Sequence, residues 1–371
     1  IVPRRVLSLS ADDLSRRDND PQGMIMFRAS PLSFGRAIFA IALAASAWGT
    51  GGAVAAMLYS AGGLDPLTVS FWRFLGGALA LAAAWPLLRG EGTFSLVGRF
   101  RREKARFLAT GVGMAVYQTA YFAAVDHAGV AVATVVTLGS GPILVAVGAR
   151  LWMGERLGGR GALIIGSALA GLILLVSGGD PAVDSTAPVS GGDPAIVSTS
   201  ARSAATGLVS SGDQVVGATV PILGIGLALL SAVGYAGTIL LGRAIGTGDS
   251  AGSALIGFAV GSLCLFPFAL GSGLGPEGGF TVTVVMLLAY LGVVPSALAY
   301  GLFFAGLRVV PSTTASVVAL VEPLVATAIA VAFLGERLTV AAVLGGLVLL
   351  AAVVFSGPLP RSRPSGPAAP G

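Results

Sequence analysis

The sequence predicts an all-α membrane protein whose ten transmembrane helices form two inverted five-helix repeats. Composition, apolar run length and an internal repeat predict it. Of the 371 residues, 55% are hydrophobic, only 11% are charged and 55 are glycine, with a mean hydropathy of +0.89. A soluble domain carries about a quarter charged residues, so this is a membrane composition. The repeat lies in residues 130–157 and 311–338. Pro142 and Gly154-Glu155-Arg156-Leu157 in the first copy recur 181 positions later as Pro323 and Gly335-Glu336-Arg337-Leu338. Seven of the 28 aligned positions are identical. A solenoid repeat is far shorter; two copies, each near the end of a hydrophobic half, indicate a duplicated membrane domain.

Residues 1–34 are polar and arginine-rich and read as a disordered cytoplasmic tail. The chain opens on Ile1, with Met24 and Met26 as alternative starts. A helix crossing about 30 Å of hydrocarbon needs roughly 20 apolar residues. The first repeat, 35–177, offers runs at 36–58, 66–88, 106–125, 130–151 and 161–177. The second, 221–356, offers 221–242, 252–272, 281–306, 311–333 and 339–356, followed by a polar tail at 357–371. Pro66, Pro221 and Pro311 stand where helices begin, which suits a residue without an N–H.

Orientation follows from lysine and arginine in the short loops. With the N-terminus inside, basic residues crowd the inner segments, including Arg99, Arg101, Lys104, Arg106, Arg150, Arg160, Arg243 and Arg308. Only Arg202 and Arg337 fall outside. Both termini are then cytoplasmic, and five helices per half invert the second repeat.

Between the repeats, residues 178–220 hold the tandem Gly178-Gly179-Asp180-Pro181 and Gly191-Gly192-Asp193-Pro194. This low complexity predicts a flexible extracytoplasmic linker, dispensable for the protein's activity. A calcium loop is the alternative, though its aspartates lack the alternating spacing such loops use. The single Cys264 forms no internal disulfide, and the single His127 excludes two-histidine sites. No paired aspartates lie inside a span and no phosphate-binding loop appears, so an enzyme is not expected and no cofactor or metal is implied. Nucleic-acid binding is not expected either, because the arginines serve as loop charges.

Arg73 and Glu322 are the charges that fall well inside spans. Each costs about 2.5 to 3.5 kcal/mol facing lipid, so both must face protein or water. Either they line a central cavity, Arg73 taking an anionic group and Glu322 a cation or proton, or they form a structural ion pair. Glu322 aligns with Gly141, and Arg73 with Ala254 or Phe258, so neither charge is duplicated. Pro142 and Pro323 are candidate hinges, since a mid-span proline frees a carbonyl. Trp48, Tyr117, Gln118, Tyr121, Tyr235 and Tyr300 are the candidate substrate contacts near the repeat interface; belt or packing roles are the alternative. The Glu-Arg pairs at 155–156 and 336–337 read as solvated helix ends, and His127 as an outer-loop residue. Gly161, Gly166 and Ala170, with Ala342, Gly346 and Leu350, predict close packing by the fifth and tenth helices.

The motifs Ala47-Trp48-Gly49, Phe71-Trp72-Arg73-Phe74, Ser231-Ala232-Val233-Gly234-Tyr235, Pro142 with its Gly-Glu-Arg-Leu end, and Glu322-Pro323 with its own, stand in a fixed order. In that order the chain resembles drug/metabolite transporters of the EamA type, over nearly all of 35–356. The resemblance implies ten helices and alternating-access export or exchange of a small organic solute across the inner or plasma membrane. It also implies a cavity between the repeats and outer fifth and tenth helices, often a homodimer contact. Proton or counter-substrate coupling is an open possibility. The competing classes are a membrane receptor or scaffold and, with less support, a membrane-embedded enzyme. The long linker and the N-terminal tail depart from the family pattern.

Overall fold

A computed structural model describes residues 33–88, 96–155, 157–177, 222–245, 250–276, 278–334 and 338–357. The expected tail before residue 33, the linker, the tail beyond 357, Arg156 and Gly335-Glu336-Arg337 lie outside the described residues. The helices are α1 (Phe34–Gly62), α2 (Pro66–Leu88), α5 (Gly159–Ser177), α6 (Ile222–Ile245), α7 (Ser250–Ser272) and α10 (Val340–Phe355), with α3 (Glu103–Gly129), α4 (Ala131–Met153), α8 (Val282–Leu307) and α9 (Ser312–Phe333). Nine of these are long and apolar enough to cross a membrane, and α10 is a shorter apolar helix. Among the described residues there is no strand. The outward-facing side chains include Phe39, Leu163, Leu263, Val343 and Leu347. An apolar exterior of this extent requires lipid as its solvent.

Helix ends follow local chemistry. Asp65 Oδ1 accepts the Leu67 and Thr68 amides at 2.8 and 3.2 Å and starts α2. Thr339 Oγ1 accepts the Ala342 amide at 3.2 Å and starts α10. The turn between α3 and α4 shrinks to Gly129, whose φ of 74° and ψ of 161° interrupt an otherwise continuous helical run from Leu96 to Met153. His127 therefore sits in the last turn of α3, exposed, its Nδ1 at 2.9 Å from the Ala123 carbonyl oxygen. The basic stretch expected as an inner loop is helical from Leu96 onward.

The two halves interlock. Helix α1 packs on α8 and α9, and its image α6 packs on α3 and α4. Helix α2 meets α7 and α8; α7 meets α2 and α3. Glycines set the crossings. A Cβ on Gly76 would come within 3.2 Å of Gly292 Cα, and one on Gly111 within 2.9 Å of the Gly257 carbonyl oxygen. Gly76 and Gly257, like Gly111 and Gly292, are 181 positions apart. The repeat register thus extends to α2/α7 and α3/α8, and Arg73 corresponds to Ala254.

Helices α5 and α10 pack closely, and of the small residues expected there Ala342 is buried with the fifth helix's apolar residues and Gly346 lies near Leu175, but the closest approach is elsewhere. A Cβ on Gly171 would lie 2.8 Å from the Gly345 carbonyl oxygen, and one on Gly345 2.7 Å from that of Gly171. Gly166 and Ala170 are exposed instead. In a helix apolar all round, sequence does not select the packing face.

Candidate functional site

Arg73 is held by an irregular turn that its own helix does not contain. Pro295 interrupts α8 as a π-helical turn, Val293–Leu298. A proline cannot donate to the carbonyl four residues back, here that of Leu291. The Ser296 hydroxyl donates to this carbonyl at 2.8 Å, and Arg73 Nε donates to Ser296 Oγ at 3.2 Å. Close approach at Gly76 and Gly77, the latter against Ser296 Cβ, brings α2 near enough for that bond. The terminal guanidinium nitrogens have no hydrogen-bond partner among the described residues, and the side chain remains half-buried. Such π-turns concentrate at functional sites. Sequence reasoning missed this one, although Pro295-Ser296 was its signal.

Glu322 lies just past a break in α9, which consists of Ser312–Val318 and Val321–Leu334. Pro323 falls in the first turn of the second piece, where its missing N–H costs least. The Glu322 amide donates to Ala319 O at 3.0 Å. Pro142, by contrast, sits in helical backbone, the non-helical residues of that run being Glu103 and Gly129. The two candidate hinges thus differ: the chain is broken beside Pro323 and continuous at Pro142. Gly49 of α1 presses on this break, since a Cβ there would lie 2.7 Å from Glu322 O. The half-buried Glu322 carboxylate makes no hydrogen bond or ion pair with any described residue, so the structural ion pair with Arg73 is not formed. The two charges are still close enough to interact electrostatically.

Aromatic side chains surround these charges. The hydroxyls of Tyr117, Tyr121, Tyr235 and Tyr300 lie in the field of Glu322, and that of Tyr300 also in the field of Arg73. Trp48 and Tyr300 stand with ring centroids 4.9 Å apart; Tyr117 and Tyr235 with centroids 5.7 Å apart. Trp48 is 8% exposed, and its buried indole N–H has no acceptor among the described residues. Tyr235 packs on Gly141, where a Cβ would lie 2.8 Å from the ring, so the position matching Glu322 has no room for a side chain. Gln118 Nε2 donates to Ser70 Oγ at 3.1 Å, within the buried interior. The Tyr121 hydroxyl bonds Thr134 Oγ1 at 2.8 Å. Ring contacts and electrostatic interactions thus link Arg73, Glu322, Trp48, Tyr117, Tyr121, Tyr235 and Tyr300 with one another. Among the described residues no group of three or more His, Cys, Asp or Glu side chains could hold a metal ion.

A second polar cluster links four helix ends on one face. Glu155, beyond α4, is 3.3 Å from Arg243 Nε at the end of α6. Glu155 Oε1 accepts the Ser312 amide and Oε2 the Thr313 hydroxyl, both at 3.3 Å. Arg243 Nη1 donates to the Leu307 and Val310 carbonyls, both at 2.6 Å. Glu155 is therefore not a solvated helix end. It and Arg243 bind the turn between α8 and α9, placing an anion at a helix start and a cation at a helix end.

Residues 35–177 and 222–357 each match the EamA-like transporter family. The chain belongs to that family. "Uncharacterized transporter YwfM" of Bacillus subtilis (strain 168) is 28% identical over 340 residues, covering 89% of this chain and 96% of that protein. An "Uncharacterized transporter" of Archaeoglobus fulgidus is 39% identical over 66 residues, 18% of this chain and 24% of its own length. A crystal structure shares the fold at a TM-score of 0.62 and 18% identity, covering 86% of this chain and 96% of that one. This EamA-like chain is thus a multi-pass membrane transporter of small substrates. Its two family segments differ where they meet: Arg73, Ser296 and Glu322 of one crossing correspond to Ala254, Ala115 and Gly141 of the other. The shared helices are duplicated, and the polar chemistry is not.

Proposed function

We propose that this protein is a secondary transporter, an exporter or exchanger rather than an enzyme, which moves a small organic solute across the inner or plasma membrane by alternating access. The observation that carries this reading is the pair Arg73 and Glu322. Both stand inside the spans, near each other yet unpaired, among aromatic rings contributed by both repeats. Charges inside a membrane protein mark substrate or ion paths, and binding at the repeat interface suits rocking of one bundle against the other. Helices α3, α4 and α6 form one such bundle; α1, α8 and α9 form the other. Proton or counter-substrate coupling and a homodimer through α5 and α10 belong to the same reading.

The test is reconstitution. Proteoliposomes screened with amino acids, nucleosides, organic acids and cationic drugs should show saturable flux of at least one solute, lost in Arg73→Ala. Absence of flux across the whole screen, from correctly inserted protein, would remove the transporter reading.

Orientation carries its own expectation, with both termini cytoplasmic. In a chain whose Cys264 is replaced by alanine, a cysteine at Ser272 should react with an impermeant thiol reagent applied to intact cells. One at Gly158 should react only after lysis. The reverse pattern would turn the molecule over.

A further inference from the structure

We infer that Ser296 is a positioning residue for Arg73: with Pro295 it builds a turn on α8 whose hydroxyl oxygen aims the guanidinium of α2, an inference that rests on the transport reading above. Donor and acceptor roles are fixed by chemistry. A guanidinium has only donors, so Arg73 Nε must give the hydrogen in its 3.2 Å contact with Ser296 Oγ. The single hydroxyl proton then goes to the Leu291 carbonyl at 2.8 Å. Pro295 creates that demand, since an ordinary residue there would bond the same carbonyl through its own N–H. Ser296 is fully buried, so bulk water competes for neither bond.

Anchoring one nitrogen orients the whole group. The guanidinium is planar and holds its five N–H donors in a fixed fork, so a bond at Nε sets the directions of the four terminal ones. Those four make no hydrogen bond among the described residues. The turn itself is gripped from two sides. A Cβ on Gly51 of α1 would lie 3.5 Å from Pro295 Cβ, and one on Gly77 of α2 would lie 3.0 Å from Ser296 Cβ. A short, buried side chain on a clamped turn holds its partner in one place. The duplicated half supplies the control. Gly76 and Gly292 recur as Gly257 and Gly111, and that crossing packs as closely. Yet Ala254, Met114 and Ala115 replace Arg73, Pro295 and Ser296, and α3 stays helical there, the non-helical residues of that run being Glu103 and Gly129. Close packing at these glycines therefore needs no π-helical turn. The turn accompanies the arginine.

The experiment separates aiming Arg73 from merely capping Leu291. Full-length protein carrying isotopically labelled arginine is purified in detergent for NMR, and the Arg73 Hε signal is assigned by its absence in Arg73→Lys. Its exchange with water is then measured. In Ser296→Ala that exchange should accelerate about ten- to a hundredfold, as expected for the loss of one hydrogen bond from a charged group. Pro295→Ala restores an N–H able to bond the Leu291 carbonyl. Added to Ser296→Ala, it should recover thermal stability and leave Arg73 Hε exchanging fast. Slow exchange in Ser296→Ala, or its return in the double variant, would overturn the inference, because something other than Ser296 would then hold Arg73. A second arm uses proteoliposomes and the panel of amino acids, nucleosides, organic acids and cationic drugs. For a solute that moves, Ser296→Ala should raise KM by about the same factor with little change in maximal rate, and the double variant should keep that defect. An unchanged KM beside fast Hε exchange would also sink the inference, since transport would then need no aimed arginine. If nothing in the panel moves, the transport reading falls, and the exchange rates alone decide whether Ser296 positions Arg73.

Discussion

Replacing Glu322 with glutamine should leave the protein inserted and folded but abolish accumulation of substrate against a gradient. The amide has nearly the shape of the carboxyl group, and the carboxylate makes no hydrogen bond or ion pair with the described protein, so folding loses little. What disappears is a titratable charge beside the break in α9, at mid-membrane depth. On the proposed alternating-access reading, a proton and a cationic group would compete for that carboxylate, and competition at one site would couple their movements. Glutamine holds neither charge. Exchange of substrate for substrate needs no net proton movement and should persist, with weaker affinity, while concentrative transport falls below detection. Arg73→Ala should lose both activities, since among the described residues Arg73 is the cation that interacts with Glu322 and Tyr300. Counterflow and gradient-driven flux in proteoliposomes separate these outcomes. A Glu322→Gln protein that still builds a full gradient would leave the residue as packing.

Much of this architecture is legible in the sequence because lipid imposes strict demands. Each span must be apolar for its whole length, so α1 to α10 emerge from run length. Duplication repeats residues at a fixed offset, so Pro142 and Pro323 align without a structure. Charges inside a span are costly enough that Arg73 and Glu322 stand out. Other features have no such signature. Pro295 and Pro267 both lie inside apolar runs, yet only Pro295 forms a π-helical turn, because Ser296 follows to take up the freed carbonyl and Arg73 faces it. The choice of Gly171 and Gly345 over Gly166 as the α5 to α10 contact depends on helix rotation, which an all-apolar helix does not encode. Glu155 looked like a solvated end because its partners Arg243, Ser312 and Thr313 lie far along the chain.

Removing Arg243 should open the face that Glu155 and Arg243 hold together. These two residues belong to the α3, α4 and α6 bundle, and they grip the α8 to α9 turn of the other bundle. Rocking the bundles apart on this side breaks those four hydrogen bonds together. The opposite face lacks the same set: the positions matching Ser312 and Thr313 are Ala131 and Val132, which have no side-chain donors. Under the proposed alternating access, the latch would bias the resting equilibrium toward closure here. Both side chains retain partial exposure, 27% for Arg243 and 20% for Glu155, so solvent screens the interaction. Its loss is worth about 2 kcal/mol, roughly a thirtyfold shift in the population open on this face. In the Cys264→Ala background, a cysteine at Ser316, buried in α9 above the latch, reports that shift. Arg243→Ala should raise its rate of reaction with a polar thiol reagent applied to this face by about the same factor. Glu155→Gln, which keeps acceptor and shape but drops the charge, should give a smaller rise. Unchanged reactivity at Ser316 in Arg243→Ala protein, with transport intact, would reduce the cluster to a static link between helix ends that do not part during the cycle.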